Sequence, residues 1–288
     1  MGKENRNTIF VDEGAVISNR SFPDRQYIMR IAAAKVAAKA TPGSFVHVQC
    51  AHDIPMRRPI SIMRANAAEG WIEIYYKVIG AGLDALSQAE QGADVSLIGP
   101  IGNGFSPSTD KPVQLLIGGG VGIPPMLFLA ERAADDQQPV VFMGSESPFP
   151  FELNDSPVSL DGMPADATAG VPDMDALNIP SRLASLQDYA GVHKGYVTDL
   201  ARAWLTAHQD QLDKVEVFSC GPEPMLEVVA KLAAEFGVPA QLCLEEYMAC
   251  AVGGCAGCAI EVQTESGPAM KRVCVDGPVF DAAAVYPH

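Results

Sequence analysis

Hydrophobic and polar residues alternate in short runs over roughly the first hundred residues of the chain. Clear examples are residues 44–49 (SFVHVQ) and 71–78 (WIEIYYKV), and Gly or Pro interrupts the pattern between such runs. Alternation with a period of two is typical of half-buried strands, and many short strands separated by turn signals favour an antiparallel β-barrel. One short helix is predicted over residues 83–90, directly after a glycine turn at 80–82.

The pattern changes near residue 112 to continuous apolar runs that alternate with helically spaced segments. Strands are predicted at 113–117, 139–144 and 215–219, and helices at 126–134 and 225–236. Strands that alternate with helices indicate a parallel, doubly wound α/β sheet. Residues 145–190 contain six prolines and are predicted to form, in part, an irregular excursion.

Three domains follow from these changes of pattern. We predict a β-barrel domain over residues 1–108, an α/β domain over 109–240 and a small C-terminal cysteine-rich module over 241–288. The length of 288 residues and the hydrophobic content of 48% are sufficient for two packed cores and an appendage.

Four cysteines in the C-terminal module carry the most specific chemical signal. Cys250, Cys255 and Cys258 form a C-x4-C-x2-C motif, and Cys274 follows after fifteen further residues. Three thiolates on one tight loop and a fourth from a nearby segment are the ligand set of a [2Fe–2S] cluster, and the small residues between them let backbone N–H groups approach the sulfurs. The alternatives are a structural zinc site, which prefers paired CxxC units, and cysteines scattered through a core.

A glycine-rich loop is the second candidate site. Gly118, Gly119, Gly120 and Gly122 lie between a predicted strand and a predicted helix, where glycines let the backbone approach a pyrophosphate. The spacing does not match G-x-G-x-x-G, and a plain strand-to-helix turn is the alternative.

A third candidate follows the predicted strand at 215–219. Cys220, Gly221 and Pro222 come directly after it, so Cys220 is expected to face the crevice in which parallel sheets bind ligands. The alternative is a buried, inert thiol. Glu146 follows the strand at 139–144, and an acidic residue there favours NAD over NADP, although a solvated loop glutamate is the alternative.

A weaker candidate lies at the start of a barrel strand. Arg58 can pair with a diphosphate, and Pro59, Ile60 and Ser61 continue an extended segment in which Arg58 and Ile60 share one face while Pro59 and Ser61 share the other. Taken alone, an ordinary surface arginine explains this segment equally well. A flavin is nevertheless the natural intermediary between a nicotinamide, which transfers a hydride, and a cluster, which takes single electrons.

Composition narrows the possible partners and the compartment. The net charge of −15 argues against nucleic acid and against anionic membranes as partners. Residues 1–10 lack the apolar core of a signal peptide, and the longest uncharged apolar stretch, 113–130, holds four glycines and two prolines, which argues against a membrane span. Seven cysteines in 288 residues are not a disulfide-rich composition, so we expect a reducing, cytoplasmic location.

Together, these segments resemble the ferredoxin–NADP reductase superfamily and, within it, the electron-transfer subunits of NAD-linked, two-subunit dihydroorotate dehydrogenases. The resemblance covers nearly the whole chain. It rests on the four cysteines and on residues 58–61, 99–105, 118–125, 193–199, 219–222, 244–246 and 275–280. The chain departs from the family pattern at Leu83, Tyr247 and Ala251, where Thr, Arg and Gly are usual, and just before His193.

The resemblance implies three redox cofactors and a second chain. FAD would be held by Arg58, Pro59, Ile60, Ser61, Tyr75, Tyr76, Lys77, Gly82 and Leu83, and NAD(H) by the second domain with Cys220 near the nicotinamide. The four cysteines would hold the [2Fe–2S] cluster. A separate FMN-containing catalytic subunit, in a heterotetramer, would oxidise dihydroorotate to orotate and pass electrons through the cluster and FAD to NAD⁺.

Two other functions fit the same motifs. The first keeps the electron transfer but serves another partner, such as a hydrogenase, a transhydrogenase-like flavoenzyme or an oxygenase. The second is a redox sensor that binds a nucleotide without turnover.

Overall fold

The computed structural model describes residues 8–287, and its first domain is a closed antiparallel barrel. Six strands follow one another around the barrel in the order β1-β2-β5-β4-β3-β6. The elements are β1 (Phe10–Phe22), β2 (Gln26–Ala32), α1 (Ala34–Ala37), β3 (Phe45–Val48), β4 (Arg58–Asn66), β5 (Trp71–Lys77), α2 (Gly80–Ser87) and β6 (Asp94–Ile101). The alternating runs place Ile31, Ile62 and Ile74 in the interior with no exposed surface. The predicted barrel is confirmed. Residues 1–10 are predicted to lack a signal peptide, and of these, residues 1–7 lie outside the described residues.

Helix α2 begins earlier than the sequence pattern predicted. The expected helix at 83–90 was placed after a glycine turn, but residues Gly80 to Gly82 form its first turn. Glycine has a low helix propensity, so the glycines at 80 and 82 favour a turn when the sequence is considered alone. Gly82 is buried in this turn and faces Arg58. The glycine therefore allows the Arg58 side chain to approach closely and does not mark a separate turn before the helix.

The second domain is built on a seven-stranded sheet in the order β10-β9-β8-β7-β11-β12-β15. All neighbouring strands are parallel except β12 and β15, which are antiparallel. The remaining elements are β7 (Val113–Gly119), α3 (Ile123–Glu131), β8 (Gln138–Gly144), α4 (Pro172–Ala176), β9 (Ser181–Ser185), β10 (His193–Lys194), α5 (Val197–Ala207), β11 (Val215–Cys220), α6 (Glu223–Phe236), β12 (Ala240–Cys243), β13 (Ala259–Thr264), β14 (Gly267–Arg272), β15 (Val279–Asp281) and α7 (Ala282–Val285).

Two segments of this domain differ from the pattern-based expectation. Helix α3 starts at Ile123 and not at 126, because Pro124 and Pro125 occupy its first turn, where a missing N–H costs nothing. The stretch 145–190, expected to be irregular in part, also contributes the short helix α4 and strand β9 to the fold.

The cysteine-containing segment lies between the last two strands of the sheet along the chain. Strands β13 and β14 of this segment form a separate hairpin. Strands β12 and β15, which precede and follow it, pair with each other, with Cys243 opposite Val279. The predicted boundary between residues 240 and 241 therefore cuts through β12, and the last strand of the sheet comes from the segment assigned to the module. A three-residue return strand leaves no periodic signal in the sequence, which explains the difference.

A partly buried network of ion pairs contributes to the junction between the barrel and the second domain. Arg64 of β4 lies 3.4 Å from Glu73 of β5, 2.6 Å from Glu131 of α3 and 2.7 Å from the exposed carboxylate of Asp173 of α4. Phe128 of α3 packs in the barrel core. Arg64 thus links carboxylates of both domains.

Replacing Arg64 with methionine is expected to lower the free energy of unfolding by about 2 kcal/mol, because the partly buried Glu131 loses its charge-assisted hydrogen bond, whereas Glu73 keeps Arg30 as a partner. Urea denaturation followed by circular dichroism measures the change. Arg202→Met is the matched control, since the Arg202–Glu235 pair is exposed to solvent and should contribute little to stability. Equal losses in the two variants would contradict a joining role for Arg64.

Candidate cofactor sites

The four cysteines of the C-terminal module lie as two pairs. The backbone N–H of Cys255 is 3.4 Å from Sγ of Cys250, and the backbone N–H of Cys274 is 3.5 Å from Sγ of Cys258. Among residues 8–287, no three Cys, His, Asp or Glu side chains converge to hold one metal ion. Two pairs are what a [2Fe–2S] cluster requires, because its two irons share four thiolates.

The loop around these thiols turns tightly by means of left-handed backbone. Ala251, Gly253 and Ala256 have φ values of 54°, 79° and 55°. Glycine adopts this region freely, whereas each alanine costs about 1 kcal/mol or more there. The turn points backbone N–H groups at sulfur, as in the contact of 3.4 Å from the N–H of Gly257 to Sγ of Cys255. Strained backbone of this kind is found where a ligand must be held.

The same backbone groups prepare one thiol for ionisation. Burial raises the pKa of Cys250, but hydrogen bonds from the N–H groups of Val252, Cys255 and Gly254 outweigh it and lower the pKa to about 7. Burial and the adjacent Cys258 raise the pKa of Cys274 to about 12. Since the thiolate is the metal-binding form, iron binding must displace the proton of Cys274. The donor types, their pairing and the N–H groups around them fit a [2Fe–2S] cluster.

The side chain of Arg272 in β14 stabilises the cysteine loop through hydrogen bonds. Its Nη1 donates to the carbonyl of Gly253 at 3.0 Å, and its Nε donates to Asp276 at 3.2 Å. Asp276 also accepts from the backbone N–H of Arg272 at 2.8 Å. The first three ligands are thereby connected to the segment that carries Cys274, a connection that the sequence spacing did not reveal.

Arg58 and Gly82 form a candidate diphosphate site at one end of the barrel. A Cβ on Gly82 would lie 3.2 Å from Nη2 of Arg58, so glycine allows the guanidinium to approach the helix turn closely. Among residues 8–287, the other hydrogen-bond partners of the Arg58 guanidinium are nearby carbonyls, at 2.8 Å to Met56 and 3.2 Å to Arg57. By contrast, Nη1 of Arg57 is bound to the carbonyl of Ser96 at 2.8 Å. Arg58 is therefore the arginine that is positioned for a ligand.

The outer face of β4 next to Arg58 is partly exposed. Pro59 and Ser61 are half-buried, while Ile60 is buried in the barrel core. The predicted division into two faces is therefore seen in the structure. A flat apolar ring with polar edges, such as an isoalloxazine, fits against such a strand.

The side chains predicted beside the flavin on β5 are engaged elsewhere. Tyr75 donates to Gln26, and Tyr76 is 2% exposed in the barrel core, stacked on Tyr27. Burial raises the pKa of Tyr75 to about 12. Leu83 also packs against the barrel core. A cofactor at this position would therefore contact Tyr76 and Leu83 mainly through their backbone atoms.

Lys77 bridges the two domains. Its Nζ lies 2.6 Å from Asp24 and 2.8 Å from Oγ of Ser147, which belongs to the loop after β8. The Asp24 carboxylate already neutralises this ammonium, and the pair with Lys77 lowers the pKa of Asp24. Any phosphate must share Lys77 with this network.

The glycine loop after β7 packs closely against the loop after β11. A Cβ on Gly122 would lie 2.4 Å from the backbone of Cys220, and one on Gly119 would lie 2.5 Å from Sδ of Met225. A Cβ on Gly221 would likewise meet the methyl carbon of Met225 at 2.4 Å. Gly120, with a φ of 54°, faces open space. Close packing explains Gly119, Gly122 and Gly221, whereas the backbone at Gly120 faces open space.

Cys220 ends β11 with its thiol fully buried. It lies opposite Cys243 in the sheet register, and a hydrogen bond with Cys243, followed by burial, raises the pKa of Cys220 well above its ordinary value. Pro222 follows it at the start of α6. The thiol is thus protonated and apolar in character at neutral pH.

Sequence reasoning missed two groups that the structure brings to these sites. Tyr196 is 63% exposed just after β10, and its neighbour Val197 packs against Gly144, two residues before Glu146. Phe45 and His47 of β3 lie between β4 and the cysteine module, although the alternation in residues 44–49 identified them only as parts of a strand. Cross-strand register was the missing information in the second case.

Comparison with known proteins identifies the cysteine module. Residues 245–286 match the family model described as the iron–sulfur cluster binding domain of dihydroorotate dehydrogenase B. Over most of its length the chain is similar to proteins named dihydroorotate dehydrogenase B (NAD(+)), electron transfer subunit. It is 31% identical to the one from Desulforamulus reducens, covering 88% of this chain and 90% of the relative. It is 33% identical to the one from Geobacillus kaustophilus, covering 94% and 96%.

Solved structures share the fold. An NADH-dependent reduced ferredoxin–NADP oxidoreductase matches with a TM-score of 0.71 and 22% identity over 95% of this chain and 90% of that one. Phthalate dioxygenase reductase matches with a TM-score of 0.56 and 14% identity over 91% and 76%. Within residues 8–287, no helix has both the length and the apolar character needed to cross a membrane.

Proposed function

The chain belongs to the family of electron-transfer subunits of dihydroorotate dehydrogenase B, and from this premise we propose that it links dihydroorotate oxidation to NAD. It is an oxidoreductase subunit with FAD, a [2Fe–2S] cluster and NAD as its cofactors. These groups supply single-electron and hydride chemistry, while the protein sets their spacing and surroundings. The pathway served is pyrimidine biosynthesis.

The observation that carries the proposal is the arrangement of the cysteines. Four thiols lie as two pairs on a loop whose N–H groups face sulfur, inside the segment that matches the cluster-binding domain. Cys255 is exposed at the rim of this loop, whereas Cys258 and Cys274 are buried. The exposed edge supports electron entry from another chain, and the buried pair supports onward transfer into this one.

Residues of the two larger domains are assigned roles on the same basis. Arg58, with Gly82 beside it, binds the FAD diphosphate, and the outer face at Pro59 and Ser61 contacts the flavin ring. The exposed backbone at Gly120 binds the NAD diphosphate. Gly221 and the fully buried Cys220 lie behind this loop on the nicotinamide side and support its backbone.

The finer features of the assembly belong to the proposal as well. The catalytic partner is a separate chain, as the name of the relatives implies, and we assign it an FMN and a place in a heterotetramer. Four cysteines that must remain reduced to bind iron support a cytoplasmic location. The exposed side chains of Tyr247 and Val252 beside the cysteine loop support a protein contact at this face.

The experiment uses the anaerobically purified chain together with the FMN-containing dihydroorotate dehydrogenase of the same organism. The complex is expected to reduce NAD⁺ with dihydroorotate, and to do so faster than it reduces NADP⁺. The catalytic subunit alone is the control and should not reduce NAD⁺. A complex loaded with iron, sulfide, FAD and FMN that fails to reduce NAD⁺ would disprove the proposed function.

A further inference from the structure

The outer faces of β3 and β4 form one continuous surface. Phe45 lies opposite Ser61, and His47 lies opposite Pro59, in the antiparallel register. Residues directly opposite point to the same side of a sheet, with Cβ atoms about 4.5–5.5 Å apart. Val46 and Ile60 point into the barrel core, so the four residues of the two pairs point outward.

Different structures cover the two halves of this surface. Pro59 and Ser61 remain half-buried at the open flavin face, whereas Phe45 is 4% exposed and His47 is 1% exposed. The cysteine module covers the β3 half, where Phe45 packs in one apolar core with Cys258 and Cys274. Phe45 is therefore adjacent both to a strand of the flavin site and to the buried cysteine pair.

We propose that Phe45 is a positioning residue for electron transfer between FAD and the [2Fe–2S] cluster. The inference rests on the proposed function. In the direction of the proposed function, one ferrous iron of the reduced cluster would become ferric, the flavin would gain that electron, and the flavin would take its proton from solvent; the reverse transfer uses the same path. Phe45 takes no part in bond making. Its ring fills the space between the Ser61 strand and the Cys258–Cys274 pair with packed atoms, and electron tunnelling is faster through packed atoms than across a gap.

His47 supports the same assignment because it keeps this surface uncharged. Within residues 8–287, neither ring nitrogen makes a hydrogen bond of good geometry, and burial, followed by the nearby Arg57, lowers the pKa of His47. The backbone of Met248, two residues before the first ligand, is close enough to act on the ring in the opposite direction. The surface between the two cofactors is thus formed by two aromatic rings without net charge.

The test is the rate of electron transfer from flavin to cluster within the loaded chain. Flash photoreduction with a deazaflavin delivers one electron to FAD, and the loss of cluster absorbance follows its arrival. Phe45→Ala is expected to slow this step several-fold, and Phe45→Leu is expected to fall between Ala and the native chain. The rate of FAD reduction by NADH and the electron paramagnetic resonance spectrum of the reduced cluster should not change.

Ile101→Ala is the matched control. Ile101 of β6 lies on the other side of Phe45, is fully buried and packs in the same core with the same two cysteines. Strand β6 carries no residue assigned to the flavin, so this cavity beside the cluster should leave the transfer rate unchanged. A purely structural role for the core predicts equal effects at Phe45 and Ile101.

The outcomes separate this inference from the proposed function. If the native chain holds no cluster that reduced FAD can reduce, both the proposed function and the inference about Phe45 are wrong. A functional native chain whose Phe45→Leu variant transfers electrons at the native rate would overturn the role of Phe45 alone. Loss of the cluster from both Phe45 variants would also overturn it, because the residue would then serve cluster binding and not electron transfer.

Discussion

Replacing Cys274 with alanine is expected to yield a chain without iron or acid-labile sulfide, and a complex that no longer passes electrons to NAD⁺. Cys274 pairs with Cys258, and its loss leaves one iron with a single thiolate. The loss of activity should exceed the roughly 10- to 100-fold decrease typical for removal of an outer-shell partner of a metal site. Iron and sulfide analysis, visible absorbance and NAD⁺ reduction measure the effect.

Cys50→Ala is the control for loss of a buried thiol. Cys50 is 6% exposed in the barrel core, and its Sγ lies 3.9 Å from the carbonyl oxygen of Val48. This variant should retain the full cluster content and the native absorbance. A Cys274→Ala chain with the native iron content would contradict the two-pair assignment.

Replacing Arg58 with alanine is expected to weaken FAD binding by about 2–3 kcal/mol, or roughly 30- to 150-fold in Kd, since charge-assisted hydrogen bonds to the diphosphate are lost. Gly82→Ala should act in the same direction with a smaller effect, because the added methyl group would lie 3.2 Å from the guanidinium and displace it. Titration of the FAD-free chain with FAD, followed by flavin fluorescence, gives the Kd.

Arg57→Ala distinguishes the two adjacent arginines. Arg57 is bound through Nη1 and Nη2 to the carbonyl and the hydroxyl of Ser96, each at 2.8 Å, so its loss should lower the urea midpoint of the barrel more than the FAD affinity. The opposite result, weak FAD binding by Arg57→Ala and native binding by Arg58→Ala, would reverse the assignment.

Local patterns in the sequence predicted most of the architecture. The alternation at 71–78 became β5, the apolar run at 113–117 became β7, and Cys220 stands at the end of a parallel strand, as expected. The fourfold cysteine motif predicted the cluster, because its ligands are close in sequence and the residues between them are small. These features depend on neighbours along the chain, which a sequence shows directly.

Features that depend on distant contacts were not predictable in the same way. Lys77 meets Ser147 across 70 positions of sequence, so its neutralisation by Asp24 and its contact with the second domain leave no local signal. The alignment of Phe45 with Ser61 requires the register of β3 and β4. The division of the four thiols into pairs likewise depends on the path of the chain between Cys258 and Cys274.

The antiparallel pairing of β12 with β15 makes the sheet depend on chain that lies beyond the cysteines. Residues Val279–Asp281 cover one side of β12, whose other side pairs with β11. A premature stop anywhere in the cysteine-rich segment therefore removes more than a ligand. It leaves the backbone groups on one side of β12 without a partner and creates a bare sheet edge, the kind of surface on which truncated proteins aggregate.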